Sequence, residues 1–339
     1  MVELDESWLI PDPEANPSLR KFAPEEMLTC GACLRANAPT RGECIYCGAG
    51  LITTSTPAAN PIAALSPATS PTHYVAVRRV RNDRDDQPVL EKLAAKFCLK
   101  PEELRVALNT GQPVPVFATS SDEATAIAGQ LMSDEIESAV IPGAELGDGA
   151  AHINIRAFEF RDTGIAAHAK HRGEQLFASW SDLALIVTGR LLMHRVEVDE
   201  RRSRTTVKSL DRREISQDQS VIDLYSGSDN RPWRIIVNDF DFSCLGAGKS
   251  LTAFDNVKQL LERLTDQSDA ELNDSYGAMR PLLANIWPLE STERQGRSQR
   301  PRASRREIST VTSSDNEAQF NRYSRLAWIW KNRGRKSDR

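Results

Sequence analysis

No stretch of this sequence approaches ~18 consecutive apolar residues, so none is expected to cross a bilayer as a helix. The opening residues Met1-Val2-Glu3-Leu4-Asp5-Glu6 are acidic. They lack the basic and apolar regions of a secretory leader, which predicts a cytoplasmic location. Aromatic residues make up only 6%, so no core is expected to be aromatic-rich. An excess of basic charge is missing too. Lys and Arg number 43 against 47 Asp and Glu, for a net charge near −4. Coating nucleic acid with the whole surface needs the opposite balance.

Catalytic signatures are also absent: no nucleophile elbow, zinc-protease helix or dinucleotide fingerprint is present. Gly246-Ala247-Gly248-Lys249-Ser250 has the end of a phosphate loop, but the glycine required five residues before Gly248 is Ser243. A plain loop between strand and helix is favoured, with nucleotide binding through Gly246 to Ser250 kept as an alternative. His168 and His171 lack a third ligand and fall on opposite faces of a strand, so both are expected at the surface. No catalytic or cofactor-binding residue is assigned, and the chain reads as non-enzymatic.

What is present suits a soluble protein with real cores: 339 residues, 40% hydrophobic and 27% charged. That length allows two or three ordinary domains. Four of the six cysteines form two Cys-x-x-Cys knuckles, Cys30/Cys33 and Cys44/Cys47, separated by ten residues. Four soft thiolates at this spacing predict tetrahedral zinc. Iron in a rubredoxin-like site and a pair of disulfides remain as alternatives. With four sulfurs the coordination sphere is closed, which marks a structural ion. Gly31 and Gly48 supply tight turns at the knuckles. Arg35, Arg41 and Glu43 are too few charges for a phosphate grip, which favours protein contact. The lone cysteines Cys98 and Cys244 read as small buried hydrophobes, Cys98 on the apolar side of a helix. The segment 27–52, with its Cys47-Gly48-Ala49-Gly50-Leu51 ending, resembles the short zinc ribbons of bacterial proteins.

Residues 1–26 form an N-terminal extension. Residues 53–72 are nearly all Pro, Ala, Ser and Thr, a composition that tethers rather than folds. Order is expected again from residue 73. Tyr74 to Val80 reads as a strand. A helix follows, with Val89, Leu90, Leu93, Ala94, Phe97 and Cys98 on one face. Pro101 starts a second helix that Gly111 ends. Pro113 to Phe117 is extended, and its prolines suit an edge strand. Ser120 to Glu123 caps a third helix, whose apolar face is Ala124, Ile127, Ala128, Leu131 and Met132. Ser138 to Ile141 closes the unit. This β-α-α-β-α-β order over 73–142 resembles the proteolytic adaptor ClpS and the carboxy-terminal domain of the ribosomal stalk protein. Both bind proteins, so the resemblance implies a binding module.

From residue 152 short alternating segments begin. Strands are expected over Ile153 to Phe160, Gly164 to His168 and Gln175 to Trp180. Leu183 to Thr188 and Leu191 to Val198 are expected to pair through a turn at Gly189. Ser220 to Tyr225 and Pro232 to Val237 form a further pair. Thr252 caps a helix with Val257, Leu260, Leu261 and Leu264 on its inner face. Together with the turn Trp180-Ser181-Asp182-Leu183, this resembles a PH-like or GRAM-like barrel plugged by a helix, assigned with further helices to 152–288.

Residues 289–339 form a basic tail. Between 291 and 339 there are 13 Lys and Arg against 5 Asp and Glu. Its aromatic segment, Phe320 to Trp330, is expected to dock on a partner or fold back as a helix. It is too short for firm attachment at a membrane surface. The sequence therefore predicts a multidomain α+β protein: zinc ribbon, small α+β module, PH-like barrel and partly disordered tail. An adaptor-like regulator of protein partners is the expected function. Nucleic-acid binding through the ribbon and basic tail is the first alternative.

Overall fold

The computed structural model describes residues 27–30, 36–45, 51, 73–78, 87–133, 136–147, 152–170, 175–202, 207–227, 231–297 and 307–337. The extension 1–26 and the tether 53–72 lie outside them. The chain divides into two compact units, Met1–Thr56 and Pro57–Arg339.

In the first unit, β1 (Leu28–Thr29) and β2 (Ala36–Asn37) form a two-residue antiparallel ladder. The second unit begins with β3 (His73–Arg78), α1 (Gln87–Phe97), α2 (Pro101–Asn109), β4 (Val114–Thr119), α3 (Ser121–Ser133) and β5 (Glu137–Pro142). The three strands pair antiparallel in the order β4-β3-β5. Pro115 sits on the edge strand, and the β3 register slips between Val75 and Ala76 opposite it, where a missing N–H disturbs no further ladder. Leu90, Leu93, Ala94 and Phe97 of α1 are buried as their spacing requires. Met132 is not: it is 66% exposed, one step off the face defined by Ala124, Ala128 and Leu131.

Cys98 also differs from expectation. It is exposed, not buried on the helix face. It takes φ +53° immediately after α1. Its N–H donates to Ala95 O at 3.4 Å and the Leu99 N–H donates to Ala94 O at 2.9 Å. This is a Schellman stop, with Cys98 in the left-handed position usually held by glycine.

A short helix, α4 (Gly143–Leu146), leads to a nine-stranded sheet. Its strands are β6 (Ile153–Arg161), β7 (Gly164–Ala169), β8 (Gln175–Ser179), β9 (Leu183–Arg202), β10 (Val207–Ser226), β11 (Trp233–Ile236), β12 (Glu271–Asn273), β13 (Glu290–Arg297) and β14 (Glu307–Asp315). Three helices accompany them: α5 (Ala253–Gln267), α6 (Tyr276–Ile286) and α7 (Glu317–Ser337). The order is β13-β14-β9-β10-β11-β6-β7-β8, with β12 beside β9.

This sheet is open and does not close into a barrel. Closure would need β8 to reach the free edge of β9. That edge is already taken, by β12 at Leu185–Val187 and by β14 at Met193–Arg201. Nor does the chain turn at Gly189. β9 runs straight through it for 20 residues, paired along its length with β10. Gly189 serves a different need: a Cβ there would collide with the Phe320 ring and lie 3.1 Å from Tyr276 Cδ1.

Two cores flank the sheet. On one side, Leu260 and Leu264 of α5 pack with Ile155, Phe158, Ile165, Ile186 and Trp233. Thr252 caps α5 as expected, accepting the Asp255 N–H at 3.1 Å. The other core is continuous through Val75, Leu104, Leu131, Leu185, Met279, Phe320, Tyr323 and Trp328. It therefore joins the β3–β5 module, the long sheet and α7 into one body.

The described part of the tail is ordered. β13 and β14 extend the sheet, and the aromatic segment is a buried helix folded back on the body. Polar side chains fix it in place. Asn316 Oδ1 accepts the Leu192 N–H at 2.6 Å, and Gln319 Nε2 donates to Trp287 O at 2.8 Å. Tyr323 OH donates to Asn273 Oδ1 at 2.7 Å. Residues 298–306 lie outside the described residues.

Candidate metal centre

Cys30 directly follows β1, and Cys44 follows the turn beyond β2. The β1–β2 ladder thus brings one cysteine of each knuckle toward the other. Both are buried, in one small cluster with Leu51 against which Leu28 packs. Asn37 organises the second knuckle. Its Nδ2 donates to Cys44 Sγ at 3.5 Å, while its Oδ1 accepts the Ile45 N–H at 3.0 Å. An N–H aimed at sulfur favours the thiolate and is the kind of support that orients a metal ligand. The Leu51 N–H donates to Gly42 O at 2.7 Å, folding the chain back past the knuckle.

Cys33 and Cys47 lie outside the described residues. Among the described residues no group of three or more His, Cys, Asp and Glu side chains is placed to hold a metal. The pair that is described fits a thiolate-bound ion: two sulfurs on separate turns, removed from water, one of them receiving a side-chain N–H.

The remaining candidates belong to the second unit. The loop before α5 is turned in on itself. Ser250 N–H donates to Asn256 Oδ1 at 2.7 Å, Ser243 N–H to Asp241 Oδ1 at 2.9 Å and Asp255 N–H to Thr252 Oγ1 at 3.1 Å. Lys249 Nζ lies 3.7 Å from Asp241 Oδ1. Of the Gly246 to Ser250 backbone donors, the Lys249 N–H is taken by Gly246 O and the Ser250 N–H by Asn256, and Asp241 and Asp255 add negative charge. His168 lies near the surface with Nε2 3.0 Å from Glu159 Oε1, and His171 lies outside the described residues. Hydrogen bonds from Arg161 and His168 hold the Glu159 carboxyl below its ordinary range. Cys244 sits in a 3-10 turn, where burial pushes its thiol up, away from reactivity.

The turn at Trp180 to Leu183 is built by Ser179 and Asp182. Ser179 Oγ donates to Asp182 Oδ2 at 2.7 Å, and Trp180 stacks on Phe160. A cleft of about 380 Å³ lies against the start of α7, lined by Glu290, Asp315, Glu317, Asn321 and Arg322. It holds three carboxylates and one guanidinium.

Sequence reasoning missed one polar cluster. Asp223 of β10 and Arg234 of β11 are cross-strand partners and almost wholly buried. Their two hydrogen bonds are both 2.7 Å, and Ser324 Oγ of α7 donates to Asp223 Oδ2 at 2.8 Å. Tyr225 OH lies 2.9 Å from Ser324 Oγ, and burial pushes its phenol far above the usual range. The signal was present. In the expected hairpin 220–225/232–237, a lone Asp and a lone Arg interrupt apolar strands at facing positions.

No family model, no curated protein and no solved structure matches this chain. Among the described residues no helix is long and apolar enough to cross a membrane.

Proposed function

We propose that this chain is a non-enzymatic, zinc-stabilised adaptor or regulator that works by binding other proteins. The observation that carries this reading is the convergence of Cys30 and Cys44 in one buried cluster, with the Asn37 amide donating to sulfur. Cys30, Cys33, Cys44 and Cys47 would hold the ion, which supplies folding free energy to a ribbon too small to fold on an apolar core. Such a domain presents a rigid surface and leaves no open coordination position for chemistry.

Elemental analysis of the full chain, combined with thiol titration, tests the centre. One zinc per chain is expected, with the four knuckle cysteines protected until a chelator is added. Absence of zinc, or equal reactivity of all six cysteines, overturns it. The binding role is tested by comparing partners retained by the full chain and by Cys44→Ser. Partners held equally by both count against a role for the ribbon.

A second reading, nucleic-acid binding, is favoured by one placement. The register brings Lys208 and Arg297 to the same end of the long sheet, beside Arg201, whose charge is paired with Glu307. Salt-dependent binding of duplex or single-stranded DNA, weakened by Arg297→Gln, supports it. Deletion of 291–339 is unsuitable as a test, because it removes a core helix.

A further inference from the structure

The far half of β10 has an open edge. β9 covers one side of the strand throughout, whereas β11 covers the other side only at Val221–Leu224. Among the described residues nothing pairs with the outer side of 211–219. Such an edge is a template for another strand. This one carries neither proline nor glycine, and its one irregularity lies before Asp211.

Which backbone groups face outward follows from a neighbouring contact. The Leu192 N–H donates to Asn316 Oδ1 and its carbonyl accepts the Asn316 N–H, so both point toward the β14 side of β9. Alternation then turns Arg195 toward β10, where it faces Ile215. Ile215 therefore bonds inward, and Arg212, Glu214, Ser216 and Asp218 present their N–H and C=O groups to solvent.

We infer that this edge pairs with the same edge of a second copy, antiparallel about a two-fold axis centred on Ile215. Charge selects both the partner and the register. Centred there, Arg212 faces Asp218, Arg213 faces Gln217, Glu214 faces Ser216 and Asp211 faces Gln219. Ile215, 44% exposed, meets its own copy. No like charges oppose each other. A centre at Arg213 or Glu214 sets that residue against itself, and a centre at Ser216 sets Glu214 against Asp218. Like charges directly opposite destabilise a ladder. A centre at Gln217 leaves only 214–220 before Val221, which β11 covers, so it pairs seven residues instead of nine. The nine residues 211–219 thus form a self-complementary segment ~30 Å long, and the contact is isologous and closed. This surface is independent of the cysteine site.

Sedimentation equilibrium of the full chain across the micromolar range tests it, with a mass of twice the chain expected. Ser216→Pro removes one outward N–H and no bond to β9, so the monomer keeps its fold by circular dichroism while the mass halves. Arg212→Asp also halves the mass by setting acid against Asp218. Asp218 also binds Arg190 of its own chain, so Asp218→Lys is added together with Arg190→Gln, and this combination restores the dimer. A wild-type monomer throughout the range overturns the inference. So does a dimer that ignores both Ser216→Pro and the charge swap, which would place the contact elsewhere.

Discussion

The Phe320 ring of α7 occupies the space where a side chain on Gly189 of β9 would begin. A glycine at the middle of a 20-residue strand weakens it intrinsically. Here it lets a helix lie directly on the backbone. Gly189→Ala is expected to cost about 1–3 kcal/mol through overpacking. Denaturant melts should show Gly189→Ala/Phe320→Leu losing less than the sum of the single changes. Strict additivity would mean that the two residues do not compete for this volume.

The buried pair Asp223–Arg234 gives a second expectation. Asp223→Ala leaves the buried guanidinium only the exposed Glu317 carboxylate, 3.7 Å from its Nη1, and should cost about 3–5 kcal/mol. Replacing both, as Asp223→Leu/Arg234→Met, should recover most of that loss in the same urea melts. If the double variant is as unstable as the single one, the pair matters for its hydrogen bonds to α7 rather than for charge balance.

Cys98 holds a left-handed conformation that costs an L-residue energy. Cys98→Gly should raise stability by about 1 kcal/mol, because only the strain at the helix stop changes. Cys98→Val should lower it. The midpoint of thermal unfolding decides, and a Gly variant no more stable than wild type sinks this account.

His152 supplies a pH dependence. Burial first, and the Arg234 cation second, hold its imidazole below the ordinary value of 6.5. As pH falls below 6.5, the unfolded chain therefore takes up this proton before the folded one does. Stability is fully present above that pH and declines as pH drops toward the folded value. His152→Gln should flatten this part of the profile of urea midpoint against pH. An unchanged slope would assign the decline to other groups.

Elements whose burial is one-sided were legible in the sequence. Leu260 and Leu264 of α5 and the faces of α1 and α3 followed from periodicity, and the edge strand β4 from its prolines. The segments 199–201 and 211–219 and strand β13 were not legible. Their side chains are polar on both faces, so no alternation marks them, and pairing with neighbours alone holds them extended. The barrel expectation failed for a related reason. It rested on a count of short strands followed by a helix, one pair of them joined at Gly189, but the glycine there answers to Phe320, a residue 131 positions away. The aromatic tail pattern showed a helix but not its destination. At the candidate metal centre the spacing pointed to four cysteines, of which Cys30 and Cys44 lie in one buried cluster and Cys33 and Cys47 lie outside the described residues; the Asn37 contact emerges only from the fold of the turn.

The placement of α7 has a consequence for biosynthesis. Leu185, Met279 and Trp287 share a core with Phe320, Tyr323 and Trp328, so that core stays incomplete until residues 317–330 have been made. Folding must wait for contacts such as Leu192 with Asn316, 124 residues apart. Topology of this kind makes for slow maturation and a need for protection on the ribosome.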